Sequence, residues 1–252
     1  MKTIEEICTE LKTAYIRENY KNHISESKQK GDEFETFLLE LLTAEREHRK
    51  NNGIKHRIRM ARFPQKKYLE DFKVSRFSRD IKSKFQELET LEFIHNKENV
   101  ILMSNPGMGK THYATALGIK ACLNNMKVLF ISVPNLIIEL KEAMSQNQIT
   151  RYKKSFEKYD LVILDELGYV SFDKEGSEIL FNLISNRISV GSMIITTNLL
   201  FDRWEEIFMD PVLTTALVDR LTYKSHLLNM SGDSYRIEET INWLKEKNSP
   251  NK

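Results

Sequence analysis

Apolar and polar positions follow two regimes along the chain, and the change comes near residue 99. Upstream, Ile4, Ile7, Cys8, Leu11, Ala14 and Tyr15 recur at helical spacing, which predicts a short amphipathic helix from Ile4 to about Tyr20. The polar stretch His23–Asp32 reads as a loop. Phe34, Phe37, Leu38, Leu41 and Leu42 then repeat at i, i+3, i+4, i+7 and i+8, with Asp32, Glu33 and Glu35 where a helix dipole favours negative charge. A further helical stretch is predicted from Phe77 to His95, beyond the break that Pro64 imposes.

Downstream, short runs are apolar at consecutive positions: Val100–Met103, Val128–Ser132, Leu161–Leu164 and Met193–Thr197, with helical patterns between them. Strands that are apolar on both faces suit a parallel sheet covered on both sides by helices. The expected organisation is a helical N-terminal domain over 1–66, a linker and lead-in helix over 67–98, an α/β domain over 99–246 and a frayed tail over 247–252.

Charge changes this picture in one place. Lys plus Arg (38) nearly balance Asp plus Glu (36), so the sequence pI near 8.3 says little about partners. Arg49–Lys67, however, holds eight Lys or Arg and no acid, with Phe63 and Tyr68 near its end. It reads as a sequence-independent contact to nucleic acid or a protein partner, or else as a solvated helix face. Cys8 and Cys122 show no metal-ligand spacing and read as reduced structural thiols. Glu5, Glu6 and Glu10 interrupt what a secretory signal would keep apolar, and no run approaches the ~18 apolar residues of a membrane span. A cytoplasmic protein with no membrane partner is expected.

The chemistry is concentrated after the first strand run. Ser104-Asn105-Pro106-Gly107-Met108-Gly109-Lys110-Thr111 joins that run to a helical segment opening at His112, which is the setting a phosphate-binding P-loop requires. Glycines let backbone N–H groups turn inward, and the following helix presents its positive end to phosphate. Lys110 would reach the terminal phosphates of ATP and Thr111 would hold Mg2+. Ser104 stands where the general pattern has its first glycine.

Asp165 and Glu166 follow the apolar run Leu161–Leu164, the arrangement of a Walker B acid pair. Asp165 would hold Mg2+, and Glu166 would orient the water that attacks the γ-phosphate. Asn198, after Met193–Thr197, is either a sensor of hydrolysis or a turn residue. Arg220 and Arg236 could each stabilise phosphate charge, Arg220 by reaching a neighbouring subunit's nucleotide, or could form surface ion pairs.

These residues resemble the IstB family, the ATP-binding helper proteins of IS21-type transposons, related to the DnaC helicase loaders among AAA+ ATPases. The resemblance rests on Phe37–Leu42 with Glu45 and Arg46, Arg62–Pro64, Pro106–His112, Asp165–Tyr169, Leu180–Ser185, Ile195–Asn198, Trp204, Asp219–Leu221 and Ser234–Arg236. It implies a small all-helical N-terminal domain before an AAA+ P-loop domain, and ATP and Mg2+ as cofactors. It also implies homo-oligomers with ATP between subunits on double-stranded DNA, and a transposase of the same mobile element as partner. In that setting Arg220 becomes a trans-acting finger and hydrolysis drives disassembly. Glu166 stands where many relatives have a second Asp. A DnaC-like helicase loader shares every nucleotide motif, and an ATP-switched DNA-binding adaptor without turnover shares the P-loop, so both remain open here.

Overall fold

The computed structural model describes residues 2–230, so Arg236 and the tail lie outside the described residues. Two compact units divide between His56 and Arg57. The segment 67–98, read as a linker, therefore lies within the second unit together with residues 57–66.

The first unit contains α1 (Ile4–Glu10), α2 (Ala14–Lys30) and most of α3 (Phe34–Met60). Thr3 and Glu6 cap α1 reciprocally. The helix expected to run to Tyr20 breaks at Lys12, whose φ of 56° no α-helix accommodates. The polar stretch expected as a loop after His23 instead continues α2 as far as Lys30. Glu45 explains part of the arrangement: buried, it accepts from the Ile16 N–H (3.1 Å) and from Arg49 Nε (2.7 Å). Arg49 in turn donates to the carbonyls of Leu11 and Lys12 (3.2 and 2.9 Å), closing the α1–α2 turn. Burial raises the Glu45 carboxyl, but Arg49 and the Ile16 N–H outweigh it, and the group titrates below its ordinary value. α3 passes through Gly53, because one interior glycine costs only about 1 kcal/mol and the Lys and Arg residues around it favour helix.

The second unit is built on a five-stranded parallel sheet in the order β2-β3-β4-β1-β5. Its strands are β1 (Asn99–Met103), β2 (Val128–Ser132), β3 (Leu161–Leu167), β4 (Ser192–Thr197) and β5 (Ser225–Asn229). The consecutive apolar runs are explained by alternation across the two faces. Ile101, Leu129, Ile131, Val162, Leu164, Met193 and Ile195 enter one core with α7 (Val133–Ser145), α8 (Ile149–Phe156), α9 (Lys174–Arg187), α10 (Glu205–Phe208) and α11 (Pro211–Thr222). Val100, Leu102, Val128, Phe130, Leu161, Ile163 and Ile194 enter the other, with α6 (Lys110–Leu123) and α4 (Arg79–Glu89). The helix expected over 77–95 is divided at Leu91 (φ 65°) into α4 and the short α5 (Glu92–His95).

The basic run divides between the units, and its second half has partners. Arg57 donates to the Cys122 carbonyl (3.0 Å) and Asn125 Oδ1 (2.6 Å), and Phe130 N–H donates to the Ala61 carbonyl (2.7 Å). Phe63 packs edge-on to Phe130 and lies so close to α6 that a Cβ on Gly118 would come within 2.8 Å of it. Cys122 is buried, which pushes its thiol up to about 11, and Cys8 is a buried free thiol in the first unit. Among the described residues no helix is long and apolar enough to cross a membrane.

Candidate functional site

At the carboxyl ends of β1, β3 and β4 lies a cavity of about 840 Å³, the position where open parallel α/β sheets bind ligands. β1 delivers the loop 104–109 into it, and Gly107 and Gly109 hold φ of 83° and 91°, values that strain any other residue. At Gly109 a Cβ would also meet the Phe72 ring at 3.0 Å. The loop ends at the first turn of α6, whose Lys110, Thr111 and His112 line the cavity, at the helix end that carries unpaired N–H groups.

Lys110 is buried, and its Nζ donates to the Ser104 carbonyl (2.7 Å), Ser104 Oγ (3.1 Å) and the Asn105 carbonyl (3.1 Å). The serine in the first-glycine position thus adds a hydroxyl to the seat of the lysine. Across the cavity, Thr111 Oγ1 donates to the Asp165 carboxylate at 3.0 and 3.2 Å. A hydroxyl and a carboxylate at this spacing are hard oxygen ligands that fit a magnesium ion. Asp165 is 4% exposed. Burial raises its carboxyl above the ordinary value, against the pull of the Thr196 and Thr111 hydroxyls and of Lys110.

Glu166 is exposed, lines the same cavity and has a φ of 65°. The β3–β4 register shifts between Leu164 and Leu167, so the strand is irregular at the acid pair. A non-glycine residue in the left-handed region costs roughly 1–2 kcal/mol, and such strain collects at functional positions. Thr196 is the residue that sequence reasoning missed. Its Oγ1 donates to Asp165 Oδ1 (2.5 Å) and accepts the Glu166 N–H (3.0 Å), and the residue is 1% exposed. Its one legible signal was a polar side chain directly after the apolar run Met193–Ile195, at the end of the predicted strand.

Residues 7–242 match the sequence model of the IstB-like ATP binding proteins. The chain belongs to the IstB-like family. Within it, the protein named as the ATP-binding protein of insertion sequence IS21 from Pseudomonas aeruginosa is 36% identical over 95% of this chain and 90% of its own length. The corresponding IS5376 protein of Geobacillus stearothermophilus is 31% identical over 94% of each chain. Among solved structures, AMPPCP-bound DnaA from Aquifex aeolicus superposes with a TM-score of 0.57 at 18% identity, over 76% of this chain and 58% of that one. The DnaC helicase loader gives 0.50 at 19% identity, over 60% and 91%. These likenesses give the IstB-like chain an AAA+ fold, with a helical N-terminal region ahead of the parallel sheet.

In this IstB-like chain the structure gathers Gly107, Gly109, Lys110, Thr111, His112, Asp165 and Glu166 around one cavity. Asn198 and Arg220 are not in its lining. Asn198 follows β4, and its buried Oδ1, without a hydrogen-bond partner among the described residues, lies where a Cβ on Gly168 would come within 3.0 Å. Arg220, on α11, lies 4.8 Å over the Phe181 ring and donates to Ser185 Oγ (2.9 Å), both on α9.

Proposed function

We propose that this IstB-like chain is an ATP-hydrolysing helper of DNA transposition. It assembles as a homo-oligomer on double-stranded DNA with ATP between subunits and recruits or stimulates the transposase of its own mobile element. Hydrolysis then drives disassembly. The observation that carries this reading is the convergence of Lys110, Thr111, Asp165 and Glu166 on one cavity, in a chain whose close relatives are named after insertion sequences.

Loop 104–109 and the first turn of α6 cradle the phosphates, with Pro106 and Met108 shaping the loop between its glycines. Lys110 leaves the loop carbonyls to neutralise the terminal phosphates. Thr111 and Asp165 would hold Mg2+, which would supply charge to offset that of the phosphate oxygens. Glu166, on its irregular stretch of β3, accepts a proton from the attacking water and aligns it with the γ-phosphate. Asn198, packed beside Gly168, senses the nucleotide through the Glu166–Tyr169 turn rather than by touching phosphate. Arg220 stands apart from its own chain's cavity, which supports a role toward the nucleotide of a neighbouring subunit.

The test is phosphate release with and without duplex DNA, combined with capture of an IS21-type transposase. DNA-stimulated release that Glu166→Gln abolishes, with DNA-bound assemblies that persist in the variant, is expected. Tight binding of a replicative helicase without duplex binding would overturn the transposition reading. Turnover absent from wild type, with Glu166→Gln assembling identically, would reduce the protein to an ATP-switched adaptor.

A further inference from the structure

The cavity has a wall that belongs neither to the P-loop nor to the acid pair: Arg62, Pro64, Gln65 and Lys67. The segment carrying them is fixed on both sides. Phe63 is wedged against Phe130 and Gly118, and the Tyr68 carbonyl lies 3.2 Å from His112 Nε2 in the first turn of α6. Two cations therefore stand at defined places on this wall, and they differ in one respect.

Arg62 is neutralised: Glu139 accepts from its guanidinium at 2.8 Å and also from the Tyr152 hydroxyl at 2.8 Å. Lys67 is half-buried, and among the described residues its ammonium has neither an ion pair nor a hydrogen bond. It also shares the cavity with the ammonium of Lys110. An anion entering the cavity would meet both ammonium groups, and the attraction is strengthened where the space is partly desolvated. Tyr68, the neighbour of Lys67, is held at His112 in the first turn of α6, which fixes the backbone on either side of Lys67 beside the cavity.

We infer that Lys67 is a second phosphate-binding cation of the nucleotide site, supplied in cis from the segment ahead of the P-loop domain's first strand. This rests on the reading of the cavity as an ATP site. The ligand class is the polyphosphate of a nucleoside di- or triphosphate. Because Lys67 lies by the first turn of α6, it contacts phosphates that ADP and ATP share. Lysine's flexible stem and point charge suit this role without a fixed geometry.

The experiment titrates fluorescent ADP and ATP analogues into the full chain, comparing wild type with Lys67→Met, Lys67→Arg and Lys110→Ala across a salt series. Lys67→Met should weaken both nucleotides about tenfold and flatten the salt dependence of binding, as expected for one lost charge-assisted contact. Lys67→Arg should restore most of the affinity. Melting temperatures without nucleotide should match wild type, since no protein partner is lost. Binding by Lys67→Met within about twofold of wild type, with an unchanged salt slope, would overturn the assignment, as would a loss confined to ATP. If Lys110→Ala leaves binding intact, the ATP reading of the cavity itself fails, and Lys67 falls with it.

Discussion

Thr196 joins the two acids of the site through one atom: its Oγ1 donates to Asp165 and accepts from the backbone N–H of Glu166. The hydroxyl fixes where the Asp165 carboxylate points and holds the irregular turn of β3 on which Glu166 stands. Thr196→Val keeps the volume and removes both bonds. Nucleotide affinity should change little while the turnover rate falls by roughly tenfold, since a lost hydrogen bond to a charged group is worth about 1.5–3 kcal/mol. The acid limb of the pH–rate profile should move to higher pH, because a hydroxyl that lowers the Asp165 carboxyl is gone. Steady-state phosphate release across pH checks both.

Asp165 also carries a stability cost. Its carboxyl is raised by burial, so the folded chain binds that proton more tightly than the unfolded chain does. Stability from this group is therefore lost as pH rises from the ordinary carboxylate range through the raised value. Without nucleotide or magnesium, Asp165→Asn should melt above wild type at neutral pH, and the gap should close as pH falls. Thermal melts over a pH series measure it, and a variant that melts lower at neutral pH would contradict the sign.

Arg187 is a structural counterpart to the cations of the cavity. It is 1% exposed, stacks on Phe156 and donates to the carbonyls of Phe156, Tyr159 and Ser192, tying α9 to the segment ahead of β3 and to the start of β4. Burial lowers its guanidinium to about 10, which leaves it charged at neutral pH. Arg187→Met should destabilise the fold by about 3 kcal/mol, because buried carbonyls lose their donors. Urea unfolding gives the value.

Arg220 makes a prediction about assemblies rather than chains. Arg220→Ala should bind ATP normally and lose roughly a hundredfold or more in assembled turnover, the scale of an absent arginine finger. Mixed with Glu166→Gln, it should recover part of that activity, since each variant supplies what the other's interface lacks. No recovery in mixtures would exclude action in trans.

Ser104→Gly restores the general P-loop pattern and deletes one acceptor, the Ser104 hydroxyl, from Lys110 Nζ. Nucleotide affinity should change by no more than about threefold, since two carbonyls still seat the ammonium. Equilibrium titration checks this.

Local chemistry made much of this protein legible in its sequence. Val100–Met103, Val128–Ser132, Leu161–Leu164 and Met193–Thr197 fall within observed strands, because a strand buried on both faces is apolar at every position whatever lies around it. The P-loop and the acid pair were legible for the same reason: glycine conformation, helix end and strand end act over a few consecutive residues. β5 was not, since Ser225, His226 and Leu227 at the sheet edge are only half-buried and carry no apolar run. Nor was the length of α2, whose last eight residues bury no apolar face.

Tertiary structure decided which side chains from distant segments share the cavity. Thr196 meets Asp165 because β3 and β4 pair in parallel, 31 residues apart in sequence. Lys67 reaches the cavity because Phe63 and Tyr68 dock its segment on α6. Asn198 and Arg220, equally polar in sequence, lie outside it. A residue's type and its near neighbours set what chemistry it can do; the packing of the sheet and helices sets what it does that chemistry to.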